Sequence, residues 1–107
     1  MSDSQLTELA GRHWLISQLV SAGLEVAQPE RDRGIDLIVY ADLDEQVGDF
    51  VACPIQMKAA TTATFGVDRK YAKFRRLLLV YVWHLREPAQ TSAYALTFTE
   101  AETIATA

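Results

Sequence analysis

The chain has 107 residues, half of them apolar, and a formal net charge of −4, which fits one domain with a single core of modest size. Only 5 glycines and 3 prolines occur, which excludes collagen-like, low-complexity and disordered classes. The longest apolar run, residues 77–83, is far short of the ~20 residues that span a bilayer, and residues 1–4 open no charged-then-apolar leader, so a cytoplasmic protein without a membrane partner is expected.

Leu6, Leu9, His13, Ile16 and Val20 step by three and four residues, the stripe of an amphipathic helix with His13 on its apolar side, a helix that Gly23 is suited to end. A short strand over residues 24–28 stops at Pro29, and the charged stretch Glu30-Arg31-Asp32-Arg33-Gly34 leads into a second strand over residues 35–40. Residues 41–49 carry Asp42, Asp44, Glu45 and Asp49 with no base, and residues 50–58 read as a return strand. Asp42-x-Asp44-x-Gln46 starts like a calcium loop, but Val47 stands where such a loop needs glycine and Cys53 where it needs glutamate. A solvated hairpin tip is the reading that remains.

Val67, Tyr71, Phe74 and Leu78 suggest a second helix with Asp68 in its first turn and a basic outer face. Residues 77–85 are too apolar and β-branched for a surface strand and belong in the middle of a sheet. A further strand over residues 92–98 and a helix starting at residues 99–102 complete the order α-β-β-β-α-β with a β-α tail, an α/β fold read as one unit over residues 1–107. Cys53 is the sole cysteine, so neither an intrachain disulfide nor a four-ligand zinc site is expected, and it reads as a small buried hydrophobe. Charge is sorted along the chain: residues 1–57 sum to −7, residues 58–86 to +6 and residues 87–107 to −3. The basic middle segment can form a local phosphate-attracting face despite the acidic total.

The hairpin supplies the one constellation that resembles a site. A turn centred near Glu45 and Gln46 puts Asp36 opposite Gln56, with Lys58 two residues on along the same face. A carboxylate, an amide oxygen and an ammonium then converge on one patch. Asp36, the Gln56 side-chain oxygen and the Met57 carbonyl suit a hard divalent cation, and a nearby lysine can orient or deprotonate a water. The plainer alternative is an aspartate that caps a turn beside a Gln-x-Lys pair on the wet side of an edge strand, a position that Pro54 also suits.

The stretches Gly34-Ile35-Asp36-Leu37-Ile38-Val39 and Ile55-Gln56-Met57-Lys58, with Leu19 and Gly23 on the helix before them, resemble the PD-(D/E)xK nuclease superfamily in its Gln-x-Lys variant, the restriction-endonuclease-like fold that includes Holliday-junction resolvases and homing endonucleases. The resemblance covers roughly residues 5–85 and implies an αβββαβ core with a mixed central sheet between helices. It implies a metal-dependent endodeoxyribonuclease using weakly held Mg²⁺ or Mn²⁺, with Asp36, Gln56 and Lys58 as catalytic residues and Asp36, Gln56 and Met57 around the metal. Many members carry a glutamate on the first helix where this chain has Arg12. Glu8, one turn earlier, is positioned to replace it or to pair with Arg12 on the surface.

Arg69, Lys70, Lys73 and Arg76 form the expected contact surface for the DNA phosphate backbone. Tyr71, Phe74, Trp14 and Trp83 are assigned to packing, and His84 is at most a minor candidate for chemistry. The alternatives are a catalytically inactive module of the same fold that binds nucleic acid or a protein, and an unrelated α/β interaction protein. Residues 92–98 carry no charge and offer a sticky edge, and a homodimer through it or the helix beyond is expected.

Overall fold

The computed structural model describes residues 2–31, 33–41 and 51–106. The acidic hairpin tip lies outside the described residues. Helix α1 (Asp3–Ser21) opens on a capping box, with the Ser2 hydroxyl accepting from the Gln5 N–H and the Gln5 side chain accepting from the Ser2 N–H. It closes at Ala22, followed by Gly23 at φ +90°, a left-handed conformation that glycine adopts without a Cβ penalty. Strands β1 (Leu24–Ala27), β2 (Leu37–Ala41), β3 (Ala52–Ala59), β4 (Leu78–Trp83) and β5 (Ser92–Thr97) lie side by side in chain order, and α2 (Phe98–Ala105) follows. All neighbouring strands are antiparallel except β3 and β4. The chain is thus α/β with a mixed five-stranded sheet.

The hairpin register is the one the sequence predicts: Leu37 faces Ile55, Ile38 faces Pro54 and Val39 faces Cys53. Strand β3 is interior, not an edge, because β4 joins its other side from Ile55 onward. Pro54 is tolerated because it precedes that junction, so its missing N–H interrupts no ladder bond to β4. Strand β4 sits between β3 and β5 with its four central residues buried, as its composition requires.

Alternation along the strands builds two cores. Leu15 of α1 joins Leu37, Val39, Ile55, Met57, Val80 and Val82 on one side of the sheet. Tyr71, Leu77, Leu79, Tyr81 and Ala101 form the other. The buried line of α1 differs from the one its apolar residues suggest. Gly11 and Leu15 face the sheet, while Leu6, Leu9 and Val20 stay at least 40% exposed and His13 is also exposed rather than a core residue. Close approach decides the phase: a Cβ on Gly11 would lie 2.7 Å from the Ala59 Cβ, so glycine lets the helix axis settle nearer β3 than any stripe of leucines could.

The second helix is also corrected. Residues 60–77 cross from β3 to the parallel β4 with only a 3-10 turn, Arg69–Lys73. Arg69, Lys73 and Arg76 would stand one turn apart on an α-helix and repel, and Leu77 and Leu78 are drawn into the sheet region. Asp68 accepts the Lys70 N–H at 2.9 Å, which favours a tight turn over helix propagation. Side-chain donors fasten the rest of the crossover: the Tyr81 hydroxyl donates to the Gly66 carbonyl and the Trp83 indole N–H to the Thr64 carbonyl, both at 2.8 Å.

Candidate functional site

Asp36 lies one residue before β2 and is 7% exposed. Its own N–H donates to the Ile55 carbonyl at 2.8 Å. Its carboxylate Oδ2 accepts the Met57 N–H at 2.8 Å, so the side chain takes the place of the next ladder acceptor along β3. This bond to the neighbouring strand is a different role from the turn cap of the plainer reading. It also fixes the carboxylate against the peptide that joins Gln56 to Met57. N–H and C=O of one strand residue project toward the same neighbouring strand, so the Met57 carbonyl opens on the Asp36 side of β3.

Ile55 and Met57 point into the α1 core, which by strand alternation sends Gln56 and Lys58 to the opposite face. The Lys58 ammonium lies 5.4 Å from the centre of the Tyr71 ring, a favourable cation–π placement. The Gln56 Oε1 is buried and accepts no hydrogen bond. A buried oxygen without a donor is costly unless something electropositive reaches it. The three predicted residues lie at the shared end of β2 and β3 as one carboxylate held by a backbone donor, one amide oxygen without a partner and one lysine over an aromatic ring.

This donor set fits a hard divalent cation in kind: carboxylate, amide oxygen and backbone carbonyl are all oxygen ligands, and the Gln56 oxygen has no competing partner. Among the described residues no three His, Cys, Asp or Glu side chains gather into a metal-binding group, so any cation here would lean on neutral oxygens and on substrate charge. Glu8 does not supply a second carboxylate to the trio: it accepts from the Arg12 guanidinium at 2.9 Å one turn along α1. Of the two roles open to Glu8, the structure displays the surface pair.

The proposed phosphate-binding set divides. Arg69 turns to α2 and approaches the Glu102 carboxylate at 3.7 Å. Lys70 and Lys73, three residues apart on a 3-10 turn and so on one side of it, line a cleft together with Arg33. Arg76 lies beyond the turn. Arg33 was not among the residues singled out from the sequence. Its signal was its place immediately before Gly34 in a charged loop, but only the fold brings that loop against the turn. Tyr71 and Phe74 pack in the core as assigned, and Trp83 is tied to Thr64. His84 ends β4 at φ +61° and its carbonyl accepts from the Thr91 hydroxyl, a turn role. Cys53 is half-buried on β3, and burial pushes its thiol above the ordinary value.

A second concavity, about 310 Å³ and apolar throughout, lies by the edge strand β5 and is lined by Phe65, Tyr81, Trp83, Tyr94, Leu96 and Ile104. Among the described residues no helix is long and apolar enough to cross a membrane. Comparison of the chain with protein-family models, curated proteins and solved structures found no match.

Proposed function

We propose that this chain is a PD-(D/E)xK-type domain that hydrolyses DNA phosphodiester bonds. The observation that carries the reading is the Asp36 carboxylate seated on the Gln56–Met57 peptide, with the Gln56 oxygen buried and unpartnered and Lys58 emerging two residues on. Asp36, Gln56 and the Met57 carbonyl would hold Mg²⁺ or Mn²⁺, which when bound supplies Lewis acidity at the scissile phosphate. Lys58 orients the attacking water through its ammonium protons and, when neutral, accepts a proton from it. The water oxygen bonds to phosphorus as the ester P–O bond breaks, and a solvent water supplies the proton that the departing oxygen takes up.

Supercoiled-plasmid nicking with Mg²⁺, compared between wild type and Lys58→Ala, tests this reading. Removing a general base costs about 10²–10⁴ in rate, so nicking should fall by at least that lower figure. A half-buried lysine outside the core contributes little stability, and the circular-dichroism melt should hardly move. Equal nicking by both proteins overturns the assignment.

The Glu8–Arg12 pair favours a second reading, a catalytically silent module that keeps the fold to bind nucleic acid, because it leaves the site with a single carboxylate. Gel-shift binding of duplex DNA with no nicking in Mg²⁺ or Mn²⁺ would select it. We also propose a homodimer along β5, supported by its position at the sheet edge, its lack of charge, and the exposure of Tyr94 and Ile104 beside it. Light scattering should return twice the chain mass; a value near 11.9 kDa at micromolar concentration, unmoved by DNA, rejects it.

A further inference from the structure

Between the loop entering β2 and the 3-10 turn lies a cleft of about 120 Å³ walled by Arg33, Gly34, Lys70, Tyr71, Lys73 and Phe74. Its floor depends on Gly34, which has φ +99° and whose Cβ, if present, would lie 3.2 Å from a Phe74 ring carbon. Glycine thus lets the loop backbone lie against the ring. The lysine heads are placed by the aromatic walls, Lys73 at 5.0 Å from the Phe74 ring centre and Lys70 at 5.1 Å from that of Tyr71.

The charges around this cleft are sorted. Arg69 on the same turn is paired with Glu102, and the Asp68 carboxylate accepts the Lys70 backbone N–H. Among the described residues Arg33, Lys70 and Lys73 form no ion pair with an acid. Three like charges around one concavity repel each other, and an anion seated between them relieves that repulsion. Arginine and lysine together suit phosphate, the one by its planar fork and the other as a compact charge. The Tyr71 ring is shared by Lys70 and Lys58, so the cleft adjoins the candidate catalytic patch.

We infer that this cleft is a phosphate subsite, holding one phosphate of a DNA strand beside the phosphate presented to Lys58. The inference deepens the proposed function and rests on it for the identity of the strand. It adds Arg33 as a positioning residue and separates Lys70 and Lys73 from Arg69 and Arg76 in their roles.

The test titrates the full chain with inorganic phosphate and follows the backbone amide resonances of Gly34 and Lys73, with chloride at matched ionic strength as reference. Saturable shifts are expected in wild type, weakened on the order of tenfold in Arg33→Gln and in Lys73→Gln. They should be unchanged in Arg75→Gln, an exposed cation that does not line the cleft. All three positions are exposed, so the variants should fold. A short single-stranded DNA must move the same two resonances. Shifts that do not saturate, that chloride reproduces, or that weaken equally in Arg75→Gln overturn the subsite, as does a DNA strand that leaves them in place. Plasmid nicking by the same samples separates the two ideas: nicking without phosphate binding discards the subsite alone, whereas phosphate and strand binding without nicking retains it and discards hydrolysis.

Discussion

The two faces of the sheet are covered by different materials. On one, a helix of 19 residues lies over an aliphatic cluster of Leu15, Leu37, Val39, Ile55, Met57, Val80 and Val82. On the other, the cover is a 3-10 turn, an irregular crossover and the short α2, and the buried residues include Tyr71 and Tyr81. A helix satisfies its own interior backbone groups and so makes a dry lid. An irregular segment must borrow donors from side chains, as Gly66 and Thr64 do from Tyr81 and Trp83. On this irregular side the Tyr71 ring carries the Lys58 ammonium and walls the cationic cleft. Candidate chemistry sits where the cover is least regular.

The largest effects should come from the matched pair Leu37 and Leu79, both 0% exposed, one in each cluster. Leucine-to-alanine changes in cores cost about 2–5 kcal/mol, depending on how far the surroundings collapse. Leu37→Ala, under a rigid helix, should fall in the upper half of that range and Leu79→Ala, under loops that can relax, in the lower half, as read by urea unfolding. Equal costs would show that the two covers are equally rigid and break the comparison.

Next comes Gly11→Ala. Alanine improves intrinsic helix propensity by about 1 kcal/mol, yet its Cβ would meet the Ala59 Cβ at 2.7 Å and a Leu85 methyl at 3.1 Å. Overpacking of this kind costs about 1–3 kcal/mol, so the substitution should lower the melting temperature. A rise would mean that α1 shifts freely on the sheet.

The sharpest effect concerns Asp36. Asp36→Ala removes the acceptor of the Met57 N–H and leaves a buried donor unpaired, which costs about 1–3 kcal/mol. Asp36→Asn keeps an oxygen at that place and should retain most of the stability while losing metal-dependent nicking. Asparagine as destabilising as alanine, in thermal melts, would show that the carboxylate charge rather than the hydrogen bond holds the strand end.

Elements whose burial is dictated by their own composition were legible in the sequence. The run at residues 77–85 can only be an interior strand, and β4 is one. The hairpin register followed from centring its turn near Glu45 and Gln46, and a one-residue slip would turn Leu37 and Ile55 out of the core. The stripe Val67, Tyr71, Phe74 and Leu78 misled. Apolar spacing reports which side chains pack but not the backbone that carries them, and here an irregular crossover and a short turn bring Val67, Tyr71 and Phe74 to one cluster, whereas Leu78 begins β4 and packs with the other.

For the site, the sequence by itself brought Asp36, Gln56 and Lys58 to one end of a hairpin, since strand pairing is a rule of period two that needs no knowledge of the rest of the fold. It also determined the α/β class, while the mixed sheet came from the resemblance. Only the tertiary structure decided that Asp36 bonds the Met57 backbone, that Glu8 is taken by Arg12, that α1 approaches the sheet at Gly11, and that Arg33 meets Lys70 and Lys73. Each of these depends on close contact between groups distant in the chain or on competition between local partners. Such outcomes are set by distances of a few tenths of an ångström in a packed interior, which periodicity in a sequence does not encode.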